Sequence, residues 1–207
     1  ILKNTDTLIL SLGTAYAFLL RENGQVVNNC HKLPASQFNR RLSSPEEIVS
    51  TLSTALEKLL QLNPGLNIIL TVSPIRHIKD GLEGNQISKS ILLLATKMLI
   101  EKYPEQSYYF PSYEIMMDDL RDYRYYGSDL LHPNDQAIQY IWEQFSTTCF
   151  NPETQQIIQQ ITPLLKALSH KPQQEKTEAY KKFEASTLTQ KKKLKNLFPF
   201  LHWSGIK

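Results

Sequence analysis

A carboxylate and an imidazole lie three residues apart in the segment 129–134, DLLHPN. Histidine is a natural general base because its unperturbed pKa lies near neutral pH. On a turn, Asp129 can bind one ring nitrogen of His132, which fixes the tautomer and leaves the other nitrogen to take a proton from a nucleophile. The same spacing also occurs where an Asp only caps a turn and the His packs against it. From spacing alone, both interpretations stay open.

A second polar group consists of Arg76 and His77, which follow an apolar run and a Ser-Pro turn. We expect both side chains at the edge of a sheet, where Arg76 could bind an anionic group or hold an acid such as Glu114. An ion pair that only stabilises loops explains the same residues equally well. The sequence therefore makes this group a candidate for lining a site without assigning it a reaction.

A third group lies at Asn29, Cys30 and His31. An adjacent Cys and His suggest a nucleophile pair, but neighbouring side chains rarely face each other. One Cys and one His also fall short of the four ligands that zinc usually has. Packing or contact with a substrate is the better interpretation of these residues.

Two charged segments have simpler explanations than a site. Residues 118–126 alternate acids, arginines and tyrosines, which favours an internal ion-pair network over a metal site. The lysines at 191–193 could contact nucleic acid or an acidic surface. No interleaved aromatic motif accompanies them, so a solvated helix face is the better interpretation and nucleic acid is a minor alternative.

Three apolar runs are predicted to be the buried strands that position these residues: Thr7–Leu12, Asn67–Val72 and Ser107–Phe110. They alternate with helical patterns, which is typical of an α/β fold with a parallel sheet covered by helices on both faces. In such sheets the chemistry collects at the carboxyl ends of the strands. Those ends carry Gly13 and the Arg76 group, so the sequence predicts one site at that edge.

The helices are predicted from capping signals and apolar periodicity. Ser44 is followed by Pro and two acids, the pattern of a helix start, and an apolar stripe continues over 48–60. A second stripe runs over 91–99. We expect the second helix to begin at Asn85, Ser88 and Lys89. The amino end of a helix attracts anions, which is only a weak signal of a binding site.

Composition bounds the class of protein. The 207 residues are 41% hydrophobic and 21% charged, which excludes a disordered chain. The longest apolar stretches are interrupted before they reach the roughly 20 residues that cross a bilayer. The two cysteines cannot form a disulfide framework. We therefore expect a soluble globular protein, and the unpaired cysteines indicate the cytoplasm.

The charge divides the chain into two parts. The net charge is +3, yet residues 151–207 hold 10 Lys and 4 Glu, a net of +6. Residues 1–150 hold 13 basic and 16 acidic side chains, a net of −3, together with every Arg and every Asp. The prediction is an α/β domain over 1–150 and a basic helical extension over 151–207.

The amino terminus suggests that part of the domain lies upstream. The first residue is Ile1 rather than a start Met, and no leader precedes the first apolar run. Three predicted strands are also few for a sheet of this kind. We expect an amino-terminally incomplete domain, from which a signal could also have been lost.

Taken together, six blocks resemble the bacterial GSCFA domain proteins, which look like divergent SGNH hydrolases. The blocks occur in order over most of residues 7 to 145, and six in order are specific where one alone is weak. They are LSLGTAYAF (10–18), NCHKLP (29–34), TVSPIRH (71–77), NQISKS (85–90), YFPSYEI (109–115) and DDLRDYRYYGSDLLHP (118–133).

The resemblance implies a flavodoxin-like three-layer α/β/α sandwich and a serine hydrolase or acyltransferase that acts on an ester, with an O-acylated carbohydrate as one substrate class. In SGNH enzymes a DxxH block supplies the base and its orienting acid, matched here by His132 and Asp129. Oxyanion or substrate contacts would come from the residues Gly13, Asn29, His31, Arg76, His77 and Glu114. No metal or organic cofactor is required.

Two departures from the family pattern concern the nucleophile and the oxyanion hole. The Gly-Ser-Cys-Phe-Ala motif that would carry the nucleophile is absent, and none of the serines in the other blocks is a natural substitute. Ala15 stands where a typical SGNH enzyme has an Asn, for which Asn29 is a possible replacement. The sequence therefore predicts an incomplete triad with the nucleophilic Ser outside this chain. The alternative is a non-catalytic scaffold that binds a glycan or a protein partner.

Overall fold

The computed structural model describes residues 2–27, 33–169 and 177–203. It divides into two compact units, Ile1–Trp142 and Glu143–Lys207. The strands are β1 (Thr7–Leu12), β2 (Tyr16–Leu20), β3 (Val26–Val27), β4 (Phe38–Leu42), β5 (Asn67–Val72) and β6 (Ser107–Tyr109). The helices are α1 (Pro45–Leu62), α2 (Gly81–Lys102), α3 (Ser112–Met117), α4 (Asp135–Cys149), α5 (Pro152–Ser169) and α6 (Glu178–Leu197).

The parallel sheet has the order β1-β5-β6, and the α/β fold class predicted from the sequence is confirmed. Strand β1 pairs with β5 from Thr7 opposite Asn67 to Leu12 opposite Val72. The first two strands have the bounds predicted for them, and the third ends one residue early, at Tyr109. All three strands point the same way, so their carboxyl ends meet at one edge of the sheet.

A second, antiparallel sheet of order β3-β2-β4 was not predicted. Strand β2 is half-buried along its whole length, so it lacks the alternation of exposed and buried residues that reveals a strand in a sequence. Strand β4 carries Arg40 and Arg41 at exposed positions. A short strand that contains two charged residues does not resemble an apolar run, which is why sequence reasoning missed it.

Helices α1 and α2 pack their apolar stripes against the parallel sheet. Leu56 of α1 and Leu99 of α2 form a buried cluster with Ile68 and Leu70 of β5. The predicted start of α1 is present, because the Ser44 hydroxyl accepts from the Glu47 amide and the Glu47 carboxylate accepts from the Ser44 amide. Burial of the leucine stripe and the capped end together stabilise the helix that covers the sheet.

Helix α2 begins earlier than predicted. It starts at Gly81, so Asn85, Ser88 and Lys89 lie in its second and third turns rather than at its amino end. Ser88 and Lys89 are buried there. Lys89 therefore faces the core from within the helix and does not lie at a solvent-exposed helix start.

The second unit contains helices α5 and α6, which agrees with the helical extension predicted from the sequence. Leu164, Leu194 and Trp203 form its buried cluster. The indole of Trp203 donates to the carbonyl of Phe198 at 3.0 Å. The boundary predicted at residue 150 stays a prediction. Among the described helices, none has the length and hydropathy of a membrane span.

Candidate functional site

Asp129 and His132 contact each other through their side chains. The Oδ2 atom of Asp129 accepts from Nδ1 of His132 at 2.6 Å. Its Oδ1 atom accepts the backbone N–H groups of Leu131 and His132 at 2.9 and 3.0 Å. These amides and the imidazole hold the pKa of Asp129 at about 2, well below its ordinary value. The carboxylate is therefore ionised at neutral pH and fixes the imidazole by Nδ1.

The turn that joins the two residues is tightly held. Gly127 N donates to the carbonyl of His132 at 2.8 Å, and Tyr126 and Pro133 form an antiparallel bridge across the base of the turn. Leu130 has φ 58°, the left-handed region that a leucine rarely adopts. The fold thus imposes a backbone cost in order to bring Asp129 back to the ring.

The Asp129–His132 pair lies on an open surface. The side chain of His132 is 60% exposed and that of Asp129 is 45% exposed. Within the described residues, Nε2 of His132 has no hydrogen-bond partner, whereas Nδ1 is bound by Asp129. A ring with one nitrogen held by a carboxylate and the other open to solvent can accept a proton from a bound hydroxyl.

Arg76 connects this loop with the end of β5. Its backbone N–H donates to the carbonyl of Leu131 at 3.3 Å. Its guanidinium lies over the rings of Tyr126 and Tyr123, at 4.2 and 5.2 Å from their centroids. The ion pair with Glu114 considered from the sequence is not formed, because the Tyr109 hydroxyl binds both oxygens of Glu114 at 2.8 Å. Arg76 and Glu114 therefore act on different neighbours.

A buried lysine lies beneath the ends of β1 and β5. Lys89 is 1% exposed, and its Nζ donates to the carbonyl of Gly13 at 2.7 Å and to the carbonyl of Ser73 at 2.6 Å. Burial lowers its pKa to about 8. At neutral pH a cation is thus held directly against the Gly13–Thr14 peptide.

Ser88 organises the residues that follow Gly13. Its Oγ accepts the backbone N–H of Ala15 at 2.7 Å and lies 3.1 Å from Oγ1 of Thr14. In the part of the chain that the structure describes, the N–H groups of Gly13 and Thr14 meet no acceptor. Two backbone donors are therefore available at the end of β1.

His77 is the imidazole beside Gly13. A Cβ atom on Gly13 would lie 3.6 Å from its Nε2. Burial and then the charge of Lys89 lower the pKa of His77, so the ring is neutral near pH 7. Gly13 and His77 are thus brought together as the strand-end prediction required.

Sequence reasoning placed Lys89 at a helix start and did not predict its burial. The signal for that burial was present, because Lys89 shares the spacing of the buried positions Leu92, Thr96 and Leu99 along α2. A lysine in register with an apolar stripe indicates a buried cation, which has to be compensated by acceptors from elsewhere in the fold. Those acceptors are distant in sequence, so their identity required the structure.

Two of the predicted site residues, Asn29 and His31, lie outside the described residues. Among the described residues, no group of three or more His, Cys, Asp or Glu side chains is arranged to hold a metal ion. In the segment 118–126, Arg121 pairs with Asp118 at 3.2 Å. The Tyr140 hydroxyl donates to Asp119 at 3.0 Å. Both contacts are exposed rather than internal.

Two family models match the chain. Residues 1–145 match the GSCFA family, and residues 161–205 match the model described as the GSCFA domain protein, C-terminal domain. No match was found among curated proteins or among solved structures. The first match includes the parallel sheet, the Asp129–His132 pair and Lys89, and the second includes helix α6.

Proposed function

The chain belongs to the GSCFA family, and on that premise we propose that it is a hydrolase-like domain, related to the SGNH hydrolases, that acts on an ester. The observation that carries the proposal is the 2.6 Å contact between Asp129 and Nδ1 of His132, with Nε2 open to solvent. An O-acylated carbohydrate is the substrate class that the resemblance favours. Acyl transfer to an acceptor hydroxyl uses the same residues.

In this proposal His132 acts as the general base. Its Nε2 takes the proton from the attacking hydroxyl as the new bond to the ester carbonyl carbon forms. The resulting imidazolium is stabilised by the ionised Asp129, which holds Nδ1–H. The imidazolium then gives its proton to the departing alkoxide when the bond between carbonyl carbon and leaving oxygen breaks. Asp129 remains a carboxylate throughout.

In this proposal the peptide that joins Gly13 and Thr14 binds the developing oxyanion of the substrate through its N–H group. The N–H of Thr14 and the carbonyl of Gly13 belong to the same peptide unit, and Lys89 binds that carbonyl at 2.7 Å. A cation on the carbonyl oxygen polarises the amide and makes the N–H a stronger donor. Lys89 is therefore a positioning residue for the oxyanion donor, and Gly13 leaves room for the substrate beside His77.

The nucleophile in this proposal is a serine hydroxyl in the Gly-Ser-Cys-Phe-Ala motif of the family, which the 207 residues do not contain. The test therefore uses the full-length gene product. We expect labelling by a fluorophosphonate probe and hydrolysis of short-chain aryl esters. Both decrease in His132→Ala, while the matched variant His202→Ala, altered at an exposed histidine of the second unit, retains them.

Absence of labelling, or labelling that His132→Ala leaves unchanged, would refute the hydrolase proposal. The second candidate function is a non-catalytic scaffold that binds a glycan or a protein partner. The observation in its favour is that the 207 residues contain no Gly-Ser-Cys-Phe-Ala motif to supply a nucleophile. Binding of an oligosaccharide without any turnover by the full-length protein would support that alternative.

A further inference from the structure

A small pocket lies between the start of α2 and the segment around Tyr123. Its volume is about 180 Å³, and its lining includes Arg76, Leu82, Asn85, Gln86 and Tyr123. Arg76 belongs to both the pocket and the loop next to His132, because its backbone N–H binds Leu131. A group bound by Arg76 in this pocket would therefore adjoin the loop that carries the Asp129–His132 pair.

Within the described part of the chain, the two amide side chains of the pocket, Asn85 and Gln86, have unpaired donors. The backbone N–H of His77 can only donate, and it meets Oδ1 of Asn85 at 2.9 Å. The hydroxyl of Tyr113 donates to Oε1 of Gln86 at 3.0 Å. Both amide oxygens are thus engaged. Among the described residues, the NH₂ groups of Asn85 and Gln86 have no acceptor.

Arg76 adds a cation to these two amides. In the described residues its guanidinium takes part in no ion pair, and its carbonyl contact to Leu130 is long, at 3.5 Å. The described residues that line the pocket include no carboxylate. Two acids that are chain neighbours of the lining residues Gly81 and Tyr123 are engaged elsewhere: Asp80 binds Arg40, and Asp122 accepts the N–H of Arg124. The pocket therefore combines one positive charge with two unpaired amide donors, and its described lining carries no negative charge.

Such a pocket selects an acceptor-only group with negative charge. We propose that it binds a carboxylate or phosphate group carried by the substrate, while Tyr123 and Leu82, which are 64% and 81% exposed, cover the adjoining ring or chain. The planar guanidinium fork matches either oxyanion through paired N–H···O contacts. The inference concerns binding and rests on the proposed function only in calling the bound molecule a substrate. It names an anionic ester as the substrate class.

The test is a comparison of matched sugars by NMR titration of the chain. The carboxylate arm compares glucuronate with glucose, and the phosphate arm compares glucose 6-phosphate with glucose. A charge-assisted contact corresponds to about a tenfold or greater preference for the anion. The arm with the larger preference identifies the group. Equal binding of the anionic and neutral sugars in both arms would overturn the proposal.

Three variants locate the binding. Arg76→Gln removes the cation, and the anion preference should disappear. Gln86→Glu retains an acceptor for the Tyr113 hydroxyl but places a carboxylate in the pocket, and it should also abolish the preference even if Arg76→Gln disturbs the loop. Arg124→Gln, altered at an arginine that stacks on Tyr125 outside the pocket, should retain it. Unchanged preference in both pocket variants would place the binding elsewhere and refute the inference.

One further variant separates this inference from the proposed function. His132→Ala should abolish ester hydrolysis by the full-length protein and leave the anion preference intact. If the protein hydrolyses no ester but prefers anionic sugars through Arg76, the pocket inference stands and the hydrolase proposal fails. If the protein hydrolyses neutral esters and shows no anion preference, the hydrolase proposal stands and the pocket inference fails.

Discussion

The Asp129–His132 loop and the cluster of Gly13, Ser88 and Lys89 are built in opposite ways. In the loop, the contacts of the Asp129 side chain join residues two or three apart in the chain, and the side chains of Asp129 and His132 are both substantially exposed. In the cluster, Lys89 binds Gly13 across 76 positions and Ser88 binds Ala15 across 73, and both donors and acceptors are buried or half-buried. The Asp129–His132 contact is therefore made within one exposed turn. The cluster depends on the fold to bring together residues that are distant in the sequence.

This difference predicts how substitutions in each region affect catalysis and stability. A change in the exposed loop should affect chemistry more than stability, because few buried contacts depend on it. A change in the cluster should affect both, since buried polar groups lose their partners. Four substitutions test this contrast.

The largest effect is expected from Asp129→Asn. Because two backbone N–H groups must still meet an oxygen, the NH₂ group of the substituted amide side chain is directed at Nδ1 of His132. The ring then carries its proton on Nε2, the wrong tautomer for a base. We expect ester hydrolysis by the full-length protein to fall about 10³-fold. The loss of thermal stability at neutral pH should be small by comparison, because the substituted amide still accepts both backbone N–H groups and only the charge of the carboxylate is removed.

The matched control is Asp118→Asn, which alters an exposed Asp in a local pair with Arg121. It should leave the rate of hydrolysis unchanged. A large loss of stability in Asp129→Asn at neutral pH would contradict the view that the loop is a solvated element. The low pKa of Asp129 adds a second check: its contribution to stability should be lost only in acid, as pH falls through the unperturbed value towards about 2.

The second prediction concerns Lys89→Met, which removes the cation and retains the length of the side chain. Loss of polarisation at the Gly13–Thr14 peptide should reduce kcat by about 10- to 100-fold, with a smaller effect on KM. In the intact protein kcat should also decline as Lys89 loses its proton above about pH 8, and this alkaline decline should be absent from the variant. Lys97→Met, on the exposed face of the same helix, is the control.

The lowered pKa of Lys89 also predicts the direction in which the free energy of unfolding changes with pH. Lys89 binds fewer protons in the folded state than in the unfolded state between pH 8 and its ordinary value of 10.5. The free energy of unfolding of the intact protein should therefore rise with pH in this window relative to Lys89→Met, by about 2 to 3 kcal/mol. Denaturant titrations at the two ends of the window measure it. A flat difference would mean that Lys89 is solvated.

These two regions also show what the sequence could predict. The parallel strands, the Ser44 cap and the approach of Asp129 to His132 follow from apolar runs, local spacing and turn chemistry, and the structure shows all of them. The partners of Lys89 could not be predicted. Its acceptors are carbonyls at the ends of two strands, and any residue type at Gly13 or Ser73 would offer the same atom.

The third prediction concerns Ser88→Ala, which tests whether a change in the buried cluster lowers the stability of the protein. The variant leaves the buried N–H of Ala15 without its 2.7 Å acceptor and Thr14 without its hydroxyl contact. A buried donor that loses its partner costs about 1 to 3 kcal/mol of unfolding free energy. The control is Ser90→Ala, an exposed hydroxyl on the same helix that binds only a backbone carbonyl of that helix. Equal stability of Ser88→Ala and Ser90→Ala would contradict the claim that the cluster contributes more to stability than an exposed hydroxyl does.

The smallest effect is expected at Leu130, where the loop departs from ordinary backbone geometry. Glycine is normally the more destabilising replacement, because it has the greater conformational entropy in the unfolded chain. At φ 58° the order should reverse, since Ala retains the Cβ that disfavours this region and Gly does not. We expect Leu130→Gly to be about 1 kcal/mol more stable than Leu130→Ala in denaturant titrations. Because half of the leucine side chain is exposed, loss of packing is similar in both variants and cancels from the comparison.

A more stable Ala variant would contradict this prediction. It would mean that the fold does not enforce the positive φ at Leu130, and that the turn that brings Asp129 to His132 is loosely held.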